Sequence, residues 1–198
     1  MKMKLFTKET VNVPNALTLL RLLLVPVYVL LFSRGQKYAA LAVFAAASIT
    51  DLLDGFIARK YNLITDFGKL MDPLADKVMV VTALFSMAIG NAVIPPVIPW
   101  LAVWVVLGKE LLLMLGSVLL LRRGIVVHSL MVGKVAHTVF IAGLILSYFH
   151  DTFVSLCPNW PLTPDLMVIW LAVALTLIAM VVYMIHGMKA AHEKRAFR

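Results

Sequence analysis

The sequence is a succession of apolar runs about 20 residues long, the length an α-helix needs to cross the hydrocarbon of a bilayer, separated by short polar connections. Hydrophobic residues make up 62% of the 198 positions, against roughly 45–50% in a soluble globular chain, which is more apolar side chain than one compact core could hide. The chain therefore reads as an all-α integral membrane protein with six transmembrane helices. The spans fall near Asn15 to Phe32, Tyr38 to Ala58, Leu70 to Ile89, Val97 to Leu121, Leu130 to Phe149 and Leu166 to Ile185. Short connections and the lack of repeats or low-complexity tracts predict a single membrane domain over residues 1–198. Any chemistry must then sit in the helices or at their ends.

Orientation follows from the Lys and Arg residues in the connections. One side carries Lys2, Lys4, Lys8, Arg59, Lys60, Lys69, Arg122, Arg123, Lys189, Lys194, Arg195 and Arg198, which is 12 of the 18, while the other carries Arg34 and Lys37. Both termini and the connections at Arg59 to Lys69 and Arg122 to Ser129 are expected to be cytoplasmic, in a multi-pass protein of the cell membrane. The Pro95-Pro96 turn and the Cys157 to Pro164 loop face outward. The first span carries Arg21 and lacks a small-residue cleavage pattern behind it, so it reads as a retained helix and not a signal peptide. The net charge of +8 forms no stripe with interleaved aromatics, so an anionic membrane surface is the expected partner and nucleic acid is not. Met1 to Val11, with Leu5, Phe6 and Val11 among lysines, reads either as a short amphipathic helix on that surface or as a disordered basic leader. Trp100, Trp104, Trp160 and Trp170 lie near the outer span ends, as in an aromatic belt. Cys157 is alone and receives no role.

Half of the ten acidic residues, Asp51, Asp54, Asp66, Asp72 and Asp76, fall within one 26-residue window. Asp51 and Asp54 close the second span and Asp72 and Asp76 open the third. Spacings of three and four keep each pair on one helix face. A carboxylate at a membrane edge is costly unless paired or bound to an ion, and four together require compensating cations. Hard divalent ions such as Mg²⁺ or Mn²⁺ take oxygen ligands and sit between carboxylates and substrate phosphates, so the pattern suits a metal pair clamping a diphosphate. Gly55 and Ala58 leave room for a group to approach the backbone, Arg59 offers a planar fork of donors to phosphate, and Gly68 opens space where the third span begins. The plainer reading is a solvated cytoplasmic loop beside helix-packing Gly and Ala, but Asp51 and Asp54 interrupt an apolar run instead of following it.

Taken together, Asp51, Asp54, Gly55, Ala58, Arg59, Gly68, Asp72 and Asp76 at their spacing resemble the signature of the CDP-alcohol phosphotransferase family without a substitution. The opening Pro14-Asn15-Ala-Leu-Thr18-Leu-Leu-Arg21 looks like the start of its bacterial phosphatidylglycerophosphate synthase branch, and Gly133-Lys134 fits more loosely. The resemblance implies that Asp51, Asp54, Asp72 and Asp76 hold two divalent ions. It also implies that Asp54, Gly55, Ala58, Arg59 and Gly68 receive the cytidine diphosphate part of CDP-diacylglycerol, that Asp76 is the general base, and that the protein is a homodimer. The expected reaction moves a phosphatidyl group to glycerol 3-phosphate on the cytoplasmic face and releases CMP. Asn15, Thr18 and Arg21 share a helix face. They read as nucleotide or diphosphate contacts, or as a helix cap with a snorkelling arginine.

Lys109, Lys134 and Arg21 are the candidate acceptor ligands. Lys109 adjoins Glu110, which reads equally as a structural ion pair, and Lys134 could snorkel to lipid phosphate. Lys109-Glu110 stands where the branch usually shows Arg-Glu, and Ser117 stands where a second Arg would fall. Losing that fork weakens the case for a phosphomonoester acceptor and keeps a cardiolipin synthase, with phosphatidylglycerol as acceptor, in play. His128 and His137 read as packing residues. A small transporter with buried carboxylates would need polar residues toward the outer face or an inverted repeat, and the chain has neither. A membrane prenyltransferase would need more spans and a second Asp-rich motif.

Overall fold

The structure, a computed structural model, describes residues 13–61, 66–122 and 131–196. Among them are seven helices and no strand: α1 (Val13–Ser33), α2 (Lys37–Lys60), α3 (Asp66–Ile89), α4 (Trp100–Arg122), α5 (Met131–Ser147), α6 (His150–Leu156) and α7 (Pro164–Ala196). The Met1 to Val11 segment and His128 lie outside the described residues. The chain divides into two compact units, Met1–Pro96 and Val97–Arg198.

In the first unit α1 packs against both α2 and α3, which also touch each other. Tyr28 and Phe32, one turn apart on α1, are buried against α2, where Phe44 is flanked by the small buried residues Ala40 and Ala47. The Tyr28 ring lies 6.0 Å from Phe32 and 6.4 Å from Phe44, centroid to centroid. Alanines on α2 let the helix backbones approach, and the aromatic rings fill the remaining space. On α3 the buried positions Ala75, Met79, Ala83 and Met87 recur every four residues, with Val80, Leu84 and Ala88 beside them. That is the stripe expected of a helix buried along one face.

The far end of this unit is tied by Asn91. Its Nδ2 donates to the Phe32 carbonyl at 2.6 Å, and its Oδ1 accepts from the backbone N–H of Val93 at 2.8 Å and of Ile94 at 2.7 Å. The helix ends on either side reach this knot through Gly35 (φ +73°) and Gly90 (φ +67°). Both occupy the left-handed region that favours glycine.

In the second unit α7 is the common partner of α4, α5 and α6. Ala136, Phe140, Gly143, Leu144 and Ser147 form the buried face of α5, and Ile169, Ala172, Val173 and Thr176 that of α7. A wholly buried carboxylate, Asp165 in the first turn of α7, meets Nδ1 of His150 at 2.8 Å through Oδ2. The contact fastens the start of α6 to the start of α7, and the carboxylate lies where the α7 backbone dipole favours negative charge.

The helices match the expected spans to within a few residues over the first four, and differ usefully thereafter. α4 begins at Trp100, three residues later than the apolar pattern begins, because Pro99 disfavours helical backbone at Ile98 before it. The fifth apolar run ends at Ser147, and the chain turns by 75° into α6, a short helix that the apolar pattern does not announce. α7 continues past the apolar run to Ala196, carried by the helix-forming composition of Met188 to Ala196. By length and composition, α1 over Asn15–Ser33 and α7 over Pro164–Met188 are apolar enough to cross a membrane, and the bent α5–α6 pair is a third candidate.

Candidate active site

The signature lies on two consecutive helices of the first unit. Asp51 and Asp54 are in α2 and Asp72 and Asp76 in α3, each pair within unbroken helix, so each pair shares one face. Asp54 is six residues from the end of α2 and Asp72 six from the start of α3, about 9 Å of helix in each case; Asp51 and Asp76 lie nine and ten residues in, about 14–15 Å. α2 and α3 touch, and counted along the chain the acids of the two helices lie at similar distances from the connection at residues 61–65. Gly55, Ala58 and Arg59 occupy the last turns of α2 and Gly68 the first turn of α3. The side chains of Asp54, Ala58, Arg59 and Asp72 lie outside those described.

Two of the acids are described in full, and both are half-buried: Asp51 on α2 and Asp76 on α3, next to the buried Ala75. Asp51 is joined to α1. Nη1 of Arg21 lies 2.7 Å from its Oδ1, with the arginine side chain 1% exposed and the aspartate 34% exposed. Asn15 and Thr18, six and three residues before Arg21 and on the same helix face, are buried as well. The structure thus brings Asn15, Thr18 and Arg21 together on the inner face of α1 and joins Arg21 to Asp51. The sequence pattern groups the three but does not pair the arginine with the acid. The available signal is a cation and a carboxylate that both interrupt apolar runs, since each needs a partner.

The other cationic candidates belong to the second unit. Lys109 pairs with the neighbouring Glu110 within α4, and both are partly buried. Lys134 is exposed in the first turn of α5, its carbonyl accepting from Thr138 Oγ1 at 3.0 Å. His137, also in α5, is exposed.

Among the described residues no three His, Cys, Asp or Glu side chains come together as a metal-binding group; of the signature acids, only Asp51 and Asp76 have described side chains. The donor chemistry fits a hard divalent cation, since every candidate ligand in the signature is a carboxylate oxygen and none is a soft sulfur or an imidazole.

Comparison with known proteins extends the match beyond the signature. The family model described as CDP-alcohol phosphatidyltransferase matches residues 11–185. A Rickettsia typhi protein named CDP-diacylglycerol--glycerol-3-phosphate 3-phosphatidyltransferase is 55% identical over 73 residues, covering 35% of this chain and 40% of that one. An Escherichia coli (strain K12) protein of the same name is 45% identical over 76 residues, 37% of this chain and 42% of its own. A Mycobacterium tuberculosis protein named "Probable phosphatidylglycerophosphate synthase" is 38% identical over 125 residues, 60% of this chain and 57% of its own. The chain therefore spans between 40% and 57% of the length of these relatives. With a family match running from Val11 into α7, as far as Ile185, and enclosing both acid-bearing helices, the chain belongs to the CDP-alcohol phosphatidyltransferase family.

Proposed function

We propose that this protein transfers a phosphatidyl group from CDP-diacylglycerol to glycerol 3-phosphate, producing phosphatidylglycerophosphate and CMP for phospholipid synthesis. The observation that carries the reading is the placement of two acid pairs, at similar distances along the chain from their connection, on the contacting helices α2 and α3, within a chain whose family match covers both units. The names of the relatives supply the acceptor.

In this mechanism Asp51, Asp54, Asp72 and Asp76 would hold two divalent ions, Mg²⁺ or Mn²⁺, which supply charge neutralisation at the diphosphate. Gly55, Ala58 and Gly68 leave space for the cytidine diphosphate, and Arg59 binds its phosphate oxygens. Asn15 and Thr18, on the inner face of α1, are further candidates for holding the cytidine diphosphate. The acceptor hydroxyl oxygen bonds to the phosphorus that carries the diacylglycerol, the bond from that phosphorus to the CMP oxygen breaks, and CMP leaves with the electron pair. Asp76 takes the hydroxyl proton. The acceptor phosphate is drawn by cations outside the acid cluster, with Lys109 and Lys134 the candidates. The protein would be a six-span homodimer of the cell membrane, with termini and active site on the cytoplasmic face. The distribution of Lys and Arg supports that orientation, and the exposed Leu101, Leu111, Leu112 and Leu115 of α4 suit lipid or a second copy.

The test is CMP release by the purified protein with CDP-diacylglycerol and Mg²⁺ or Mn²⁺, offering glycerol 3-phosphate, phosphatidylglycerol, inositol phosphate or serine separately. Release with glycerol 3-phosphate alone, abolished by EDTA and restored by excess metal, is the expected result. Release with phosphatidylglycerol alone would make the enzyme a cardiolipin synthase, and activity surviving exhaustive chelation would remove the metals from the mechanism.

A further inference from the structure

We infer that Arg21 is a positioning residue that acts through Asp51, holding one oxygen of that carboxylate so that the other is presented in a fixed direction to a divalent cation. The inference rests on the proposed metal-assisted reading of the acid cluster and assigns a role within it to a residue of α1.

The asymmetry of the pair is the main observation. Arg21 is 1% exposed whereas Asp51, 2.7 Å away, keeps 34% of its side chain accessible. A side chain with so little surface offers nothing for an acceptor or a diphosphate to touch, so any effect of Arg21 on bound ligands must pass through what it holds. Asp51 has the opposite character: one oxygen faces the buried guanidinium, and the carboxylate still opens outward. Burying a guanidinium is costly without an anionic partner, and Asp51 on α2 supplies one at this depth. The planar guanidinium in turn fixes the direction of the carboxylate more tightly than a flexible ammonium would.

Position within the fold reinforces this. α1 contacts both helices that carry the acids, and Thr18 and Asn15 continue the buried face of α1 beside Arg21. The arginine is therefore packed in place beside Asp51, where it orients that carboxylate from its buried side. Partners of metal-ligating carboxylates typically alter affinity or activity 10–100-fold when removed. A pair that merely glued α1 to α2 would affect stability and leave ion affinity alone.

The experiment uses the full-length chain in lipid nanodiscs, with Mn²⁺ binding read from the paramagnetic resonance signal of free Mn²⁺ in the absence of substrate. Arg21→Met, which keeps much of the side-chain length and loses the charge, is expected to weaken Mn²⁺ binding by about 10–100-fold. The KM for glycerol 3-phosphate at saturating Mn²⁺ should stay at the wild-type value. Arg21→Lys should recover part of the loss, and Arg21→Met should add less than about twofold on an Asp51→Asn background, because the two residues act as one unit. Unchanged or tighter Mn²⁺ binding in a folded Arg21→Met variant overturns the inference; tighter binding is what relief of charge repulsion alone would give. A rise in KM for glycerol 3-phosphate with Mn²⁺ affinity intact also overturns it and assigns Arg21 to the acceptor. If Arg21→Met does not melt cooperatively, Arg21→Lys carries the test, and wild-type affinity there is the overturning result. Wild-type protein that binds no Mn²⁺ removes the metal reading itself, before any variant is compared.

Discussion

Asp76 lies on α3 beside the buried Ala75, the deeper acid of its pair. As the proposed base it must be able to receive a proton during turnover. Replacing Asp76 by Asn keeps the shape and removes that capacity. The expected outcome is a loss of CMP release of about 10²- to 10⁴-fold with the melting temperature little changed. Near-normal turnover in that variant would refute the role. At this scale the sequence was informative about residue types and spacing, because a run of Asp, Gly, Ala and Arg at fixed intervals survives any uncertainty in packing. It was silent on pairing. The Arg21–Asp51 contact joins residues 30 positions apart, and nothing in local periodicity says which acid an arginine on a neighbouring helix will meet.

Between helices, the connections determine what the apolar runs alone do not. The turn after α3 depends on Gly90, whose φ of +67° is strained for any residue with a Cβ, and a Cβ there would fall 2.6 Å from the Pro96 nitrogen and 2.7 Å from the Ile94 carbonyl oxygen. Both neighbours are backbone and cannot swing aside. Gly108, in the middle of α4, has an ordinary helical backbone, and a Cβ added there would meet nothing within 4 Å. Gly90→Ala should therefore destabilise the protein by about 2 kcal/mol or more, from left-handed backbone strain together with overpacking. Gly108→Ala should stabilise it by about 0.5–1 kcal/mol through helix propensity. Thermal unfolding in one detergent would compare the two, and equal effects would contradict the assigned turn geometry. The helices themselves were readable from the apolar runs, and the break after Ser147 was not. His150, Asp151, Thr152 and Ser155 interrupt the apolar signal, and the buried contact from His150 to Asp165 that anchors α6 is again a long-range pairing.

For the whole molecule the open quantity is the direction in which the chain lies in the membrane. The two acid-bearing helices are joined by residues 61–65, flanked by Arg59 and Lys60 at the end of α2 and Lys69 at the start of α3, while the α6–α7 connection from Cys157 to Thr163 carries no Lys or Arg. By the positive-inside rule the proposed orientation has the signature at the cytoplasmic face, where a CDP-activated lipid and a soluble phosphate ester would both be within reach, and the α6–α7 connection outside. Cys157, the sole cysteine of the chain, lies in that connection and is partly accessible, so the native sequence already carries its own reporter. In intact spheroplasts a membrane-impermeant maleimide should label Cys157 to the same extent as in lysed membranes. A cysteine introduced at the exposed Tyr61 in a Cys157→Ser background should react only after lysis. The reverse pattern would turn the molecule over and place the acid cluster away from cytoplasmic substrates, an outcome that the proposed reaction could not survive. Labelling of both sites from outside would show that residues 61 and 157 share a face, which would remove the six-span arrangement and leave the helices to be assigned to the membrane afresh.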